Sequence, residues 1–207
     1  MKVDYNFIAP YYDRLAQFVF GNAIKQAQQF LIQFIQPNSH ILIIGGGTGW
    51  ILEEITKAHP SGLQITYVDI SIEMIKISRK RNVGQNKVNF ISQPFHDVQL
   101  KPVYDVVITP FFLDNFSEDS VNHVIQKIQT SLRSTVVWLY ADFQINEQSN
   151  IWQKLLLKIM YLFFQTVCHI EARKLPNVEI QFKSRGYQCV CSKTFFKDFI
   201  YAGVYKR

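Results

Sequence analysis

Ile41-Leu-Ile-Ile-Gly-Gly-Gly-Thr-Gly49 decides the fold. Four apolar residues run straight into a glycine turn, and Trp50-Ile-Leu-Glu-Glu-Ile55 then opens a helical pattern. The reading is a buried strand, a tight turn and a helix start. Bare backbone at such a turn can approach a ligand, and the following helix offers free N–H groups at its start. Twenty residues beyond Gly49, Gln64-Ile-Thr-Tyr-Val-Asp69 ends in a carboxylate. An acid at the tip of a second strand, at about that distance, can accept hydrogen bonds from ribose hydroxyls. Together these residues point to a cofactor that contains a nucleoside.

The same alternation continues outward. Strand-like runs fall near 40–44, 64–69, 87–92, 104–109 and 134–140, with helical runs near 49–58, 71–81 and 118–131. Alternating strands and helices predict an α/β fold with a mostly parallel sheet and helices on both faces. The pattern changes at the end. Gly186–Phe196 and Phe199–Tyr205 read as two strands joined by a tight turn at Lys197-Asp198, a terminal antiparallel hairpin.

The glycine spacing bears on which cofactor. A dinucleotide turn needs Gly-x-Gly-x-x-Gly, the third glycine letting helix and strand pack closely. Counted from Gly45, that third place holds Trp50, and counted from Gly46 the second holds Thr48. The spacing present, Gly45-x-Gly47-x-Gly49, serves a pyrophosphate poorly. A ligand without phosphate can still lie against it.

This series resembles motif I of the class I S-adenosylmethionine-dependent methyltransferases. Asp69-Ile70-Ser71 with Met74 looks like that family's ribose acid and the residues after it. Asn6-Phe-Ile-Ala-Pro-Tyr-Tyr-Asp13 resembles the leading segment of the small-molecule branch that includes quinone-biosynthesis methyltransferases. Val88-Asn-Phe-Ile-Ser-Gln-Pro-Phe95 looks like the third strand and its adenine loop, and Tyr104-Asp-Val-Val-Ile-Thr-Pro110 like the fourth strand. The resemblance covers roughly residues 5 to 205. It implies a Rossmann-like, seven-stranded sheet whose last strand is inserted antiparallel. It also implies S-adenosyl-L-methionine as cofactor and a small-molecule acceptor. In two places the chain departs from the family pattern. Ile43 stands where the family usually carries an acid that organises the methionine end of the cofactor. Gln93, Asp97 or backbone must serve where it usually has an aspartate facing adenine.

The expected cofactor residues are Gly45, Gly46, Gly47, Thr48, Gly49, Asp69, Ile70, Met74, Gln93, Pro94, Phe95, Thr109 and Pro110, grouped at the carboxyl ends of the strands. The acceptor is expected just beyond, near Tyr11, Tyr12, Phe111, Phe112, Asp114, Tyr140 and Trp152. Its type is read as planar or lipophilic. Methyl transfer from a sulfonium needs a base only if the acceptor must lose a proton. Asp114, His96 and Tyr11 are the candidates by residue type, and no catalytic group is fixed by the pattern. Two other readings stay open. One is a protein of the same fold that binds the cofactor without turning it over, kept alive by Ile43. The other is a nicotinamide- or flavin-dependent oxidoreductase, against which Trp50 speaks.

Length suits one domain over residues 1–207, with a helical leading segment over 1–35. No charged-apolar-small signal peptide is expected at the start, since Asp4, Asn6 and Asp13 interrupt it. Three cysteines, Cys168, Cys189 and Cys191, make no framework and fit a reducing cytoplasm. Cys189 and Cys191 alternate along a strand pattern and read as packed thiols, so no metal is expected. Charge is uneven. Residues 1–150 hold 12 Lys and Arg against 13 Asp and Glu, whereas 151–207 hold 10 against 3. That basic third suits an acidic substrate or peripheral contact with an anionic membrane. Nucleic acid is not expected, because no Lys/Arg stripe interleaved with aromatics occurs. The chain reads as a monomer or homodimer. Ile151–Cys168 is apolar except for Lys154, Lys158 and Gln165, which leaves no uninterrupted run long enough to span a membrane. The helix it predicts, within 150–175, covers the sheet as core, roofs an apolar substrate pocket or lies against a membrane interface.

Overall fold

The computed structural model describes residues 3–101 and 103–207. Of the helical segment expected over 1–35, Met1 and Lys2 lie outside the described residues. One sheet organises the molecule. Its strands are β1 (His40–Ile44), β2 (Ser61–Asp69), β3 (Gln85–Ser92), β4 (Tyr104–Pro110), β5 (Leu132–Phe143), β6 (Gln188–Phe195) and β7 (Ile200–Lys206). The order is β3-β2-β1-β4-β5-β7-β6. The first five strands are parallel, β7 pairs antiparallel with β5, and β6 antiparallel with β7. The Rossmann-like sheet with a terminal hairpin is thus present. β2 and β5 extend furthest beyond the expected runs. β2 starts at Ser61, and β5 runs on to Phe143.

Helices cover both faces: α1 (Tyr12–Phe20), α2 (Ala23–Ile32), α3 (Trp50–Ala58), α4 (Ile72–Ser78), α5 (Glu118–Gln129), α6 (Ile151–Val167) and α7 (Val178–Ser184). α4 is shorter than the expected 71–81, and α7 was not foreseen. Their starts are set by polar caps. Ser71 Oγ accepts from Met74 N–H at 3.1 Å, and Ser117 Oγ accepts from Ser120 N–H at 3.3 Å. At α6, Asn150 and Gln153 satisfy each other's free backbone N–H in a capping box.

Period-two alternation along the strands divides the core in two. Ile41, Ile43, Ile108, Leu139 and Phe143 pack with α2 and α3 on one face. Leu42, Ile44, Val107, Trp138 and Tyr140 pack with α5 and α7 on the other. Each wholly buried aliphatic side chain of β1 contributes about 1.5–3 kcal/mol, so the strand behind the glycine turn is fixed firmly. Strand order reverses between β1 and β4. Open α/β sheets form a crevice at such a switch point, beyond the carboxyl ends of the strands.

Candidate functional site

A cleft of about 590 Å³ lies at that switch point. Its floor is the turn after β1, where close contacts require glycines. A Cβ on Gly45, whose φ is +70°, would sit 2.7 Å from a ring carbon of Phe112. On Gly46 it would collide with the Tyr67 ring, whose hydroxyl donates to the Gly47 carbonyl at 3.0 Å. Asp69, at the tip of β2, ties the turn down. Its carboxylate accepts from Gly47 N–H at 2.8 Å and from Ser71 N–H at 2.9 Å. Burial pushes its pKa up to about 6, while the Ser71 and Gly47 N–H groups pull it back. A carboxylate has about four acceptor positions, so a buried one holding two donors can take two more. Ile70, Met74, Pro94 and Phe95 form apolar walls, and Gln93, His96 and Asp97 line the side under β3.

The leading segment closes over this turn. Asn6 Oδ1 accepts from Ser71 Oγ at 2.7 Å and from Glu73 N–H at 3.2 Å. Asp13 accepts from Thr48 Oγ1 at 2.6 Å and from Arg81 at 2.8 Å, and Arg81 Nε donates to the Thr48 carbonyl at 3.0 Å. The helix start, the glycine turn and the loop after α4 are thereby locked together.

Residues 41–135 match a family described as a methyltransferase domain. The matched stretch runs from β1 into β5 and takes in the glycine turn and Asp69. Among relatives, the malonyl-[acyl-carrier protein] O-methyltransferase of Priestia megaterium is 27% identical over 69% of this chain and 51% of its own length. The demethylmenaquinone methyltransferase of Porphyromonas gingivalis is 30% identical over 54% of this chain and 48% of its own. The chain spans about half the length of these curated relatives. In fold it is similar to the Burkholderia thailandensis 1,6-didemethyltoxoflavin-N1-methyltransferase, solved with S-adenosylhomocysteine. The TM-score is 0.68 at 15% identity, covering 97% of this chain and 84% of that one.

Beside the main cleft the protein has a second, apolar cavity of about 220 Å³ between α1 and α6. Tyr5, Tyr12, Phe111 and Asn115 line both. Phe111 follows β4 directly and takes φ +55°, strained backbone for a bulky residue. Such strain costs about 1–3 kcal/mol and persists where the surroundings enforce it; here Phe111 N–H donates to the Ala141 carbonyl at 2.7 Å. Asp114 lines the apolar cavity and lies beside Asp142, at the end of β5. Asp142 accepts from the Asp114 N–H at 3.1 Å and the Phe143 N–H at 3.0 Å. Burial, and for Asp142 the neighbouring Asp114 charge, raise both carboxyls above the usual range. Two adjoining buried carboxyls favour one shared proton over two charges. Tyr5 donates to Asn115 Oδ1, and Tyr161 of α6 donates to the Asp114 carbonyl at 3.2 Å.

The expected residues divide between these spaces. Gly45, Gly47, Asp69, Ile70, Met74, Gln93, Pro94, Phe95 and Phe112 line the main cleft, as does His96, whose side chain is largely exposed. Gly46, Thr48 and Pro110 line only a narrow crevice of about 80 Å³ behind the turn, and Gly49 starts α3 outside all three spaces. Five expectations are corrected. Thr109 and Tyr140 point to the α5 side of the sheet. Thr109 accepts there from the Trp138 indole at 2.9 Å, and Tyr140 packs on Phe182. Trp152 packs on Phe196 and Phe199 of the hairpin rather than over a cavity. Tyr11, just before α1, is exposed and lines neither cavity, unlike its neighbour Tyr12. Cys189 is exposed rather than packed. α6 contributes little to the core; its inner side, with Leu156, Met160 and Phe164, roofs the apolar cavity. Asp13, Arg81, Tyr5, Asn115 and Asp142 were missed. For Asp13 a signal was available, in the Tyr-Tyr-Asp that ends the leading segment.

Proposed function

We propose that the protein transfers a methyl group from S-adenosylmethionine, held in the main cleft, to a small lipophilic acceptor in the apolar cavity. The observation that carries the reading is the meeting of the two spaces at Tyr5, Tyr12, Phe111 and Asn115. The residues present fit the cofactor's nucleoside end. Asp69 has unused acceptor capacity for ribose hydroxyls, the Gly45 and Gly47 backbone gives close approach, and Ile70, Met74 and Phe95 offer apolar surface to a base. When bound, the cofactor supplies an electrophilic methyl carbon and a positive charge that drives departure. The chain's part is alignment and exclusion of water, which supply several kcal/mol of a barrier of this kind. Asp114, sharing a proton with Asp142, takes a proton from the acceptor where one must leave.

Ile43 favours a second reading, binding without transfer. It is wholly buried in the core and presents no carboxylate to the methionine end. Calorimetric titration with S-adenosylhomocysteine, with NAD as control and Asp69→Ala in parallel, tests the cofactor. Micromolar binding that the substitution weakens, with none for NAD, supports the reading. A folded protein that binds neither ligand removes it. Transfer of labelled methyl to hydroquinone- and phenol-type acceptors then separates an enzyme from a binder.

A further inference from the structure

The two helices that enclose the apolar cavity are apolar on their outer sides as well. On α1 and its start, Tyr11, Leu15 and Phe18 follow the i, i+4, i+7 spacing of one helical face, and Phe18 is 89% exposed. On α6, Ile151, Leu155, Ile159 and Leu162 repeat the pattern, with Ile151 at 86% and Leu162 at 63% exposure. Soluble monomers rarely leave a contiguous apolar area of this kind uncovered without a partner for it. Leu15 and Ile159 belong to both surfaces. Each is exposed, and each lines the cavity. The mouth of the cavity therefore opens within the apolar face.

The charges on this face are of one sign. Arg14 lies on α1 between Tyr11 and Leu15, and Lys154 and Lys158 lie on α6 among its exposed apolar residues, all three exposed. α6 contains no carboxylate. The only one on α1, Asp13, is engaged by Arg81 and Thr48 at the glycine turn. Cations interleaved with large apolar side chains suit a surface that is anionic at its edge and hydrocarbon beneath. A second copy of the chain would set Lys154, Lys158 and Arg14 against their own kind. No helix among the described residues is long and apolar enough to cross a membrane, so contact would lie in the interface plane.

We propose that the outer faces of α1 and α6 dock on an anionic lipid bilayer, and that the acceptor passes from the bilayer into the apolar cavity between them. The proposal rests on the functional reading above for the acceptor, but its surface is tested separately. The probe is co-sedimentation with vesicles of equimolar phosphatidylcholine and phosphatidylglycerol, against vesicles of phosphatidylcholine alone. Wild-type protein is expected to sediment with the anionic vesicles and to be released by high salt. Phe18→Asp with Leu155→Asp, and separately Lys154→Glu with Lys158→Glu, are each expected to lower that partition by roughly tenfold or more. None of these four residues lines a cavity, so S-adenosylhomocysteine affinity should stay at the wild-type value, which also shows that the variants are folded. Absence of wild-type binding to anionic vesicles overturns the proposal. So does a dimer in solution that Phe18→Asp dissociates, since the face would then be a contact between copies. Failure of S-adenosylhomocysteine to bind, with vesicle docking intact, would remove the functional reading and leave the surface standing.

Discussion

The main cleft and the apolar cavity share four side chains yet are built in opposite ways. The cleft rests on strand tips. At the glycine turn its polar groups are backbone N–H groups and the Asp69 carboxylate, held by β1, β2 and the locks from Asn6 and Asp13. The cavity rests on two helices, and its lining is aliphatic and aromatic apart from the Asp114–Asn115 corner. A site on strand tips keeps its geometry because the sheet cannot shift without losing its ladders. A site between amphipathic helices is set by side-chain volume and can be reshaped by a few substitutions. The difference implies that recognition of the cofactor and choice of acceptor are separable in this chain.

The largest expected effect tests that separation from the acceptor side. Asp114→Asn should slow transfer to a proton-losing acceptor about 10²- to 10⁴-fold while leaving S-adenosylhomocysteine affinity within about twofold by calorimetry. Equal losses in both would mean that the two spaces act as one. Asp69→Ala probes the other side. Lost hydrogen bonds to a charged acceptor are worth about 1.5–3 kcal/mol each, so affinity should fall roughly 100-fold. Retained affinity would remove Asp69 from the cofactor's contacts.

A smaller effect follows from the Asp69 pKa, raised to about 6 by burial. Ribose hydroxyls donate to the ionised form. Affinity should therefore be full well above pH 6 and drop about tenfold per pH unit below it. The ligand-free protein should respond in the opposite sense. A carboxyl whose folded pKa is raised adds stability at low pH, and that increment is lost as pH rises from about 4, the unfolded value, through 6. Thermal melts with and without ligand across this range should diverge; parallel curves would contradict the assignment. The smallest effect is expected at Tyr140→Phe. Tyr140 packs on the α5 side, away from both cavities, so turnover and affinity should change less than about twofold, with stability falling by under about 1.5 kcal/mol.

The cleft was legible because its signals are local. A strand, a glycine turn and an acid near a fixed offset fall within thirty residues, and each follows from backbone sterics or hydrogen-bond chemistry. The apolar cavity was legible only in part: Tyr12, Phe111, Asp114 and a roofing helix were expected beside one another, whereas Tyr5 and Asn115 join them only through the fold. Asp142 was missed through a boundary. With β5 ended at residue 140, its last residues lay beyond the strand, although the strand continues to Phe143. Tyr140 and Thr109 were placed at the site by chain position, but the direction of a strand side chain depends on its parity within the pleat. Tyr11 and Tyr12 differ by one helical step, which turns one outward and the other into both cavities.

The strand order has a consequence for how the molecule comes into being. β7 follows β6 in the chain but lies between β5 and β6 in the sheet. As the polypeptide leaves the ribosome, β6 emerges with no partner. The edge of β5 stays open until residues 200–206 have followed. Until then an unpaired strand and an uncovered edge coexist on one nascent chain, the condition in which strands of neighbouring chains pair wrongly. β7 acts as the keystone of the sheet, and its arrival ends the interval in which the open edge and the unpaired strand can be captured by another chain.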